Sequence, residues 1–206
     1  AATQQLLPPA AAIGRTFDVD ILARVADGSV GEVLDALDPA LGAGLVEDDV
    51  SLPGRFRFSH ALVAETLVEE LSVARRARLH AAVTDAMEEL RAADLDNHLA
   101  ELAHHALAGA LAGTAEKAVD YSTRAARRAS HQLAFEDAAD HWTRVLRALE
   151  LARPGDRRAR YDALVALGVA HLGADAVVPA TAALLDASRV ATPSATPRRW
   201  PGRWRR

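Results

Sequence analysis

The 206-residue chain contains no cysteine. That excludes disulfides and thiolate metal sites, and it makes a reducing compartment unremarkable. Aromatic residues are only 4% of a chain that is 50% hydrophobic, so any core must be built mainly from alanine, leucine and valine. Small and unbranched side chains favour closely packed helices over sheets. No apolar run approaches the ~20 residues that cross a bilayer as a helix, and no basic stretch followed by an apolar run opens the chain as a secretory signal would. These absences lead to the expectation of a cytoplasmic protein with no membrane partner. Lysine occurs once, at Lys117, outside any Gly-x-x-x-x-Gly-Lys-[Ser/Thr] phosphate loop, and no such loop occurs elsewhere. Gly-x-Ser-x-Gly and His-Glu-x-x-His are missing as well, so the expectation is a chain that is not itself an enzyme and carries no cofactor of its own. Methionine also occurs once, at Met87, and the first residue is Ala1, so the sequence reads as a piece of a longer protein. The net charge of −4 argues against wholesale binding to nucleic acid. It is uneven: with the five arginines between Arg198 and Arg206 set aside, residues 1–197 carry −9.

What is present is a change of period inside one segment, Arg55 to Leu71. Up to Ser59 the pattern alternates, with Phe56 and Phe58 on one face and Arg55, Arg57 and Ser59 on the other, which is the period of a half-buried strand. From His60 the apolar positions Leu62, Val63, Leu67 and Leu71 follow helical spacing, with Ser59 placed to cap the helix. A strand therefore runs directly into a helix, and His60 sits at the helix N-terminus. Unpaired N–H groups and the helix dipole favour an anion there.

The flanking segments give a mainly α organisation. Residues 1–16 read as the tail of a preceding segment, with a short helix starting at Pro8-Pro9 and ending at Gly14. Residues 17–92 read as a helix–helix–hairpin–helix module. Asp18 caps a helix that ends near Gly28, and Ser29 caps the next, which carries Val33, Leu34, Leu37 and Leu41 and is open to a break or kink at Pro39. Leu45-Val46 and Phe56–Phe58 form a hairpin around Pro53-Gly54 and are expected to be the only β-structure. Residues 93–190 read as antiparallel helical hairpins, with helices from Val73 onward expected at 74–92, 95–109, 115–131, 134–150, 157–173 and 176–190. Two of these pairs resemble tetratricopeptide repeats. In the later pair Leu164, Leu167, Gly168 and His171 face Ala180, Leu184 and Ala187. In the earlier pair Phe135, Ala138 and Trp142 match, but Ala125 and Ala126 stand where a large residue and a glycine are usual. Residues 191–206, basic and punctuated by proline, read as a disordered tail.

The order of five short pieces resembles the winged-helix region of the signal-transduction ATPases with numerous domains, the STAND class, and in particular the large bacterial regulators of the LuxR and SARP type. The pieces are Ala11–Leu22, Leu34–Leu37, Ala43–Glu47, Arg55–Leu71 and Ala74–His80, over roughly residues 10 to 92. The resemblance implies a non-catalytic winged helix followed by tetratricopeptide-like repeats, taken from an ATP-dependent transcriptional regulator whose phosphate-loop domain lies elsewhere. In such proteins a winged-helix histidine, within a Met-His-Asp motif in the plant relatives, reaches the β-phosphate of bound ADP and holds a closed state. Here the matching residues are Ser59-His60-Ala61, so only His60 carries over. Its implied role is ADP phosphate sensing in a parent protein that binds ATP and ADP, the partners being an upstream nucleotide-binding domain and an inducer or protein on the repeats. The alternative for His60 is that it caps its own helix or packs on Phe58.

Three further patterns compete with this reading. A DNA-binding winged helix needs a basic recognition helix; the candidate here, Gly31–Leu41, has three acidic residues and no basic one, which disfavours DNA as a partner. His98, Glu101 and His105, beside His104, share a helical face at i, i+3 and i+7 and so have a metal-like spacing, but with no cysteine or carboxylate cluster in support they read as helix packing. The Arg/Trp tail could touch nucleic acid or an anionic membrane, yet it interrupts the repeat pattern. A stand-alone helical interaction scaffold without nucleotide linkage remains the rival to the regulatory fragment.

Overall fold

Periodicity decides most of the elements. The computed structural model describes residues 2–50 and 52–191, so the tail expected at 191–206 lies, but for Ala191, outside the described residues. The order is α1 (Ala2–Ile13), β1 (Thr16–Asp18), α2 (Val19–Val25), α3 (Val30–Gly42), β2 (Val46–Asp48), β3 (Arg55–Phe58) and α4 (Ala61–Glu69). Then follow α5 (Val73–Leu90), α6 (Leu99–Ala108), α7 (Ala115–His131), α8 (Phe135–Ala152), α9 (Arg157–Gly173) and α10 (Val177–Ala191). Helix–strand–helix–helix–strand–strand, closed by α4, is the topology of a winged helix. α5 packs on α2 and α1, and from α6 onward each helix packs on the one before.

Phe56 and Phe58 are buried and Arg57 is exposed, as the alternation requires. The sheet, however, has three strands in the order β1-β3-β2. β1 pairs antiparallel with β3, setting Phe17 opposite Phe56, and β2 sets Val46 opposite Phe58. The hairpin is thus not the only β-structure. Three residues are too few for alternation to register in sequence, and β1 exists because Phe17 packs against Phe56 and Phe58, with ring centroids at 6.0 and 5.6 Å.

Other local expectations change for similar reasons. α1 does not start at the prolines: it begins at Ala2, passes through both and buries Leu7 and Pro9 to Ile13. Burial against α3, α4 and α5 outweighs the two hydrogen bonds that the prolines forgo in the middle of the helix. Asp18 precedes α2, but its side chain makes no cap bond. Ser29 does cap α3, accepting from the Glu32 N–H, while the Glu32 carboxylate accepts the Ser29 N–H at 2.8 Å, a reciprocal capping box. Pro39 does not break α3. It and Asp35 are exposed, so water can hydrate the carbonyl that loses its partner.

A single buried cluster runs from Leu7 to Ala148 and crosses residue 92 without a gap, with Val83, Ala86 and Met87 of α5 joining the sheet module to Leu99, Leu102, Ala103 and Ala106 of α6. The last four helices repeat. α9 starts 42 positions after α7, α10 starts 42 after α8, and each hairpin turns through a residue with positive φ, Leu133 (59°) and Asp175 (57°). That period exceeds the ~34 residues of a tetratricopeptide unit, so the likeness lies in the small-residue contact rather than in unit length. At Gly168 a Cβ would stand 2.7 Å from Leu184, and at Gly173 it would stand 2.5 Å from the Phe135 ring. α9 therefore approaches α10 through one glycine and α8 through the other.

Candidate functional site

The junction of β3 and α4 builds the site that the sequence singled out. Ser59 does not cap α4. Its N–H is still in the sheet, donating to the Leu45 carbonyl at 3.1 Å, and its buried hydroxyl makes no hydrogen bond. The N-cap position falls one residue later, to His60, whose backbone is extended (φ −126°, ψ 128°) and whose carbonyl accepts from the Val63 N–H. The imidazole makes no cap bond to its own helix and is exposed, so self-capping does not describe it. The apolar face of α4 also differs from the sequence reading: Ala64 is buried and Val63, Leu67 and Val68 are half-buried, whereas Leu62 is 71% exposed.

Beside His60, α1 and α4 enclose a groove of about 470 Å³ lined by Ala11, Ala61, Ala64 and Val68, with Arg15, Glu65 and Glu69 also lining it. The first N–H groups of α4 have no intrahelical partner and favour an anion; of the charged side chains lining the groove, Arg15 acts with them and Glu65 and Glu69 act against.

On the other side of the sheet, Asp18 accepts from Arg55 at 2.8 Å and from Arg91 at 2.9 Å, and Arg91 also bridges to Asp20 at 2.8 Å. Burial acts against the Asp18 carboxylate, but the hydrogen bonds from both arginines outweigh it and hold its carboxyl below the usual range. This network ties β1, the wing strand β3 and the end of α5 together, and explains why the Asp18 side chain is not at the helix cap. The basic residues of the wing are thus committed to carboxylates: Arg57 pairs with Glu47 at 2.8 Å. On α3, Glu32, Asp35 and Asp38 are all exposed, so the recognition-helix position presents negative charge and would repel a phosphate backbone.

The His98–Glu101–His105 set does not assemble. His98 lies in a 3-10 turn before α6 begins at Leu99, which breaks the helical face that the spacing assumed. His98 pairs with Glu101 at 3.6 Å, and His105 turns inward to 1% exposure. There it meets His80 of α5, with the two Nδ1 atoms 2.9 Å apart. His104 completes a group of three rings whose ligand nitrogens lie within 4.8 Å of one another. Burial pushes His80 down to about 4 and His105 down to about 3, so both are neutral near pH 7. Nothing in the residue pattern marks this grouping beyond the adjacent His104-His105 pair, since His80 joins it only through the packing of α5 on α6. Gly109 permits that approach, a Cβ there falling 2.8 Å from the Ala81 backbone. Among the described residues no helix is long and apolar enough to cross a membrane. Comparisons with protein-family models, with curated proteins and with solved structures find no match for this chain.

Proposed function

We propose that this chain is the non-catalytic regulatory part of an ATP-dependent bacterial transcriptional regulator. In that reading the winged helix closes on a nucleotide-binding domain, and the helical hairpins receive an inducer or a partner protein. The observation that carries the proposal is the state of His60. It is exposed at the start of α4, makes no cap bond, and immediately precedes Ala61, which lines a groove with Ala11, Ala64, Val68 and the charged Arg15, Glu65 and Glu69. An imidazole N–H next to a helix N-terminus suits a diphosphate. ADP would then favour the closed form, and a ligand on the hairpins would favour the open one. The acidic α3 supports a regulatory rather than a DNA-reading winged helix.

The test uses the full-length parent. His60→Ala should speed ADP release by roughly ten- to a hundredfold, the value of one hydrogen bond to a charged phosphate at about 1.5–3 kcal/mol. Melting of the present chain should not move, because the ring has no intramolecular bond to lose. An unchanged ADP off-rate removes the sensor role. A phosphate loop encoded within a few hundred residues upstream of Ala1 supports the regulator, and its absence favours the second reading.

That second reading is a stand-alone helical scaffold for protein partners. It draws on the exposed apolar side chains Val177, Val178 and Leu185 of α10 and Val169 and Leu172 of α9.

A further inference from the structure

The geometry points to His80, His104 and His105 as a binding site for one divalent transition-metal ion of borderline softness, with Zn²⁺ the ion we assign. One ligand nitrogen from each ring lies within 4.8 Å of the other two. Zn–N bonds of about 2.0–2.1 Å place tetrahedral ligands about 3.3 Å apart. The His80 and His105 Nδ1 atoms, at 2.9 Å, are already close to that spacing. The third ring has to close the remaining gap, and His104 is the exposed one of the three.

Chemistry agrees with geometry. Imidazole suits Zn²⁺, and three protein ligands with an open fourth position are a recurrent arrangement. Of the three rings His104 is the exposed one, the side from which an ion would enter. Without a metal, the two facing Nδ1 atoms are satisfied only if one ring donates its Nδ1–H to the other. The His104 ring then meets both of the other rings edge-on, at interplanar angles of 89° and 76°. Burial keeps His80 and His105 neutral, the form that ligates. The charges acting on the cluster are mixed: Arg76 acts on His80 and Arg144 on His104 against a cation, while Glu101, one turn back on α6, acts in its favour. A bound ion would clamp α5, the last helix of the sheet module, to α6, the first helix of the arm. That clamp would add to the continuous core that already joins the two helices.

The experiment takes the untagged 206-residue chain, stripped with a chelator, and titrates it with Zn²⁺ and, for spectroscopy, Co²⁺. The expected result is one ion per chain, a rise in melting temperature with Zn²⁺, and the visible absorption of a four-coordinate Co²⁺ centre. His104→Ala is the informative variant, because an exposed ring can be removed without disturbing the buried pair, and circular dichroism checks that the fold is kept. It should weaken Zn²⁺ binding by about tenfold or more, since even the loss of an outer partner of a ligand costs about that much. His131→Ala, at the exposed end of α7, should leave the affinity unchanged. A melting temperature indifferent to Zn²⁺ with no Co²⁺ absorption, or equal affinity in His104→Ala and the native chain, overturns the assignment.

Discussion

Replacing Gly168 by alanine tests how the helical hairpins are held together. In an unconstrained helix interior, alanine is about 1 kcal/mol better than glycine. At Gly168 a new Cβ would stand 2.7 Å from both Cγ and Cδ2 of Leu184, against a normal carbon–carbon separation of about 3.5–4.0 Å. Leu184 must therefore move by roughly 1 Å or rotate out of the contact. It is 38% exposed, so about two-thirds of it packs, and at about 1.5–3 kcal/mol for burying a whole leucine the displacement costs about 1–2 kcal/mol. The two terms nearly cancel. Gly168→Ala should lie between neutral and about 1 kcal/mol destabilising in the native chain. In a Leu184→Ala background only the helix term survives, and the same substitution should stabilise by about 1 kcal/mol. The double-mutant cycle then reads a coupling of about 1–2 kcal/mol. Urea denaturation followed by circular dichroism of the four proteins measures it, with Gly31→Ala as a control, because a Cβ at Gly31 meets nothing within 4 Å and should stabilise by up to about 1 kcal/mol. An identical effect of Gly168→Ala in both backgrounds would refute the close α9–α10 contact.

Two further expectations follow from the sheet module. Phe58→Ala should destabilise by about 3–5 kcal/mol, because the ring is fully buried against Phe17; Leu62→Ala should stay within about 0.5 kcal/mol, since Leu62 is 71% exposed, and comparable losses in chemical denaturation would show the α4 face to be misplaced. Asp18 has its carboxyl lowered in the folded state, so its contribution to stability is present above about pH 4 and is lost as pH falls through the folded value; Asp18→Asn should lack that part of the acid limb, and superimposable melting profiles of variant and native chain below pH 4 would contradict the Arg55–Asp18–Arg91 network.

Where a physical signal repeats along the chain, the sequence alone determined the outcome. The helices predicted at 115–131 and 157–173 are observed as Ala115–His131 and Arg157–Gly173, because each carries several turns of apolar spacing. The strand-to-helix switch at Phe58–His60 and the Ser29 cap were equally legible, since period and capping chemistry act over three to five residues. The acidic character of α3 is a property of composition and needed no coordinates.

Features that depend on residues distant in sequence were decided by tertiary structure. β1 is three residues long and becomes a strand only because β3 offers it an edge and Phe56 a partner for Phe17. Asp18 is drawn from the cap to two arginines 37 and 73 positions away. α1 survives two prolines because its C-terminal half is buried. The histidine group forms for the same reason: His80 and His105 are 25 residues apart, on helices whose separate patterns say nothing of each other, and only the packing of α5 on α6 sets their nitrogens face to face.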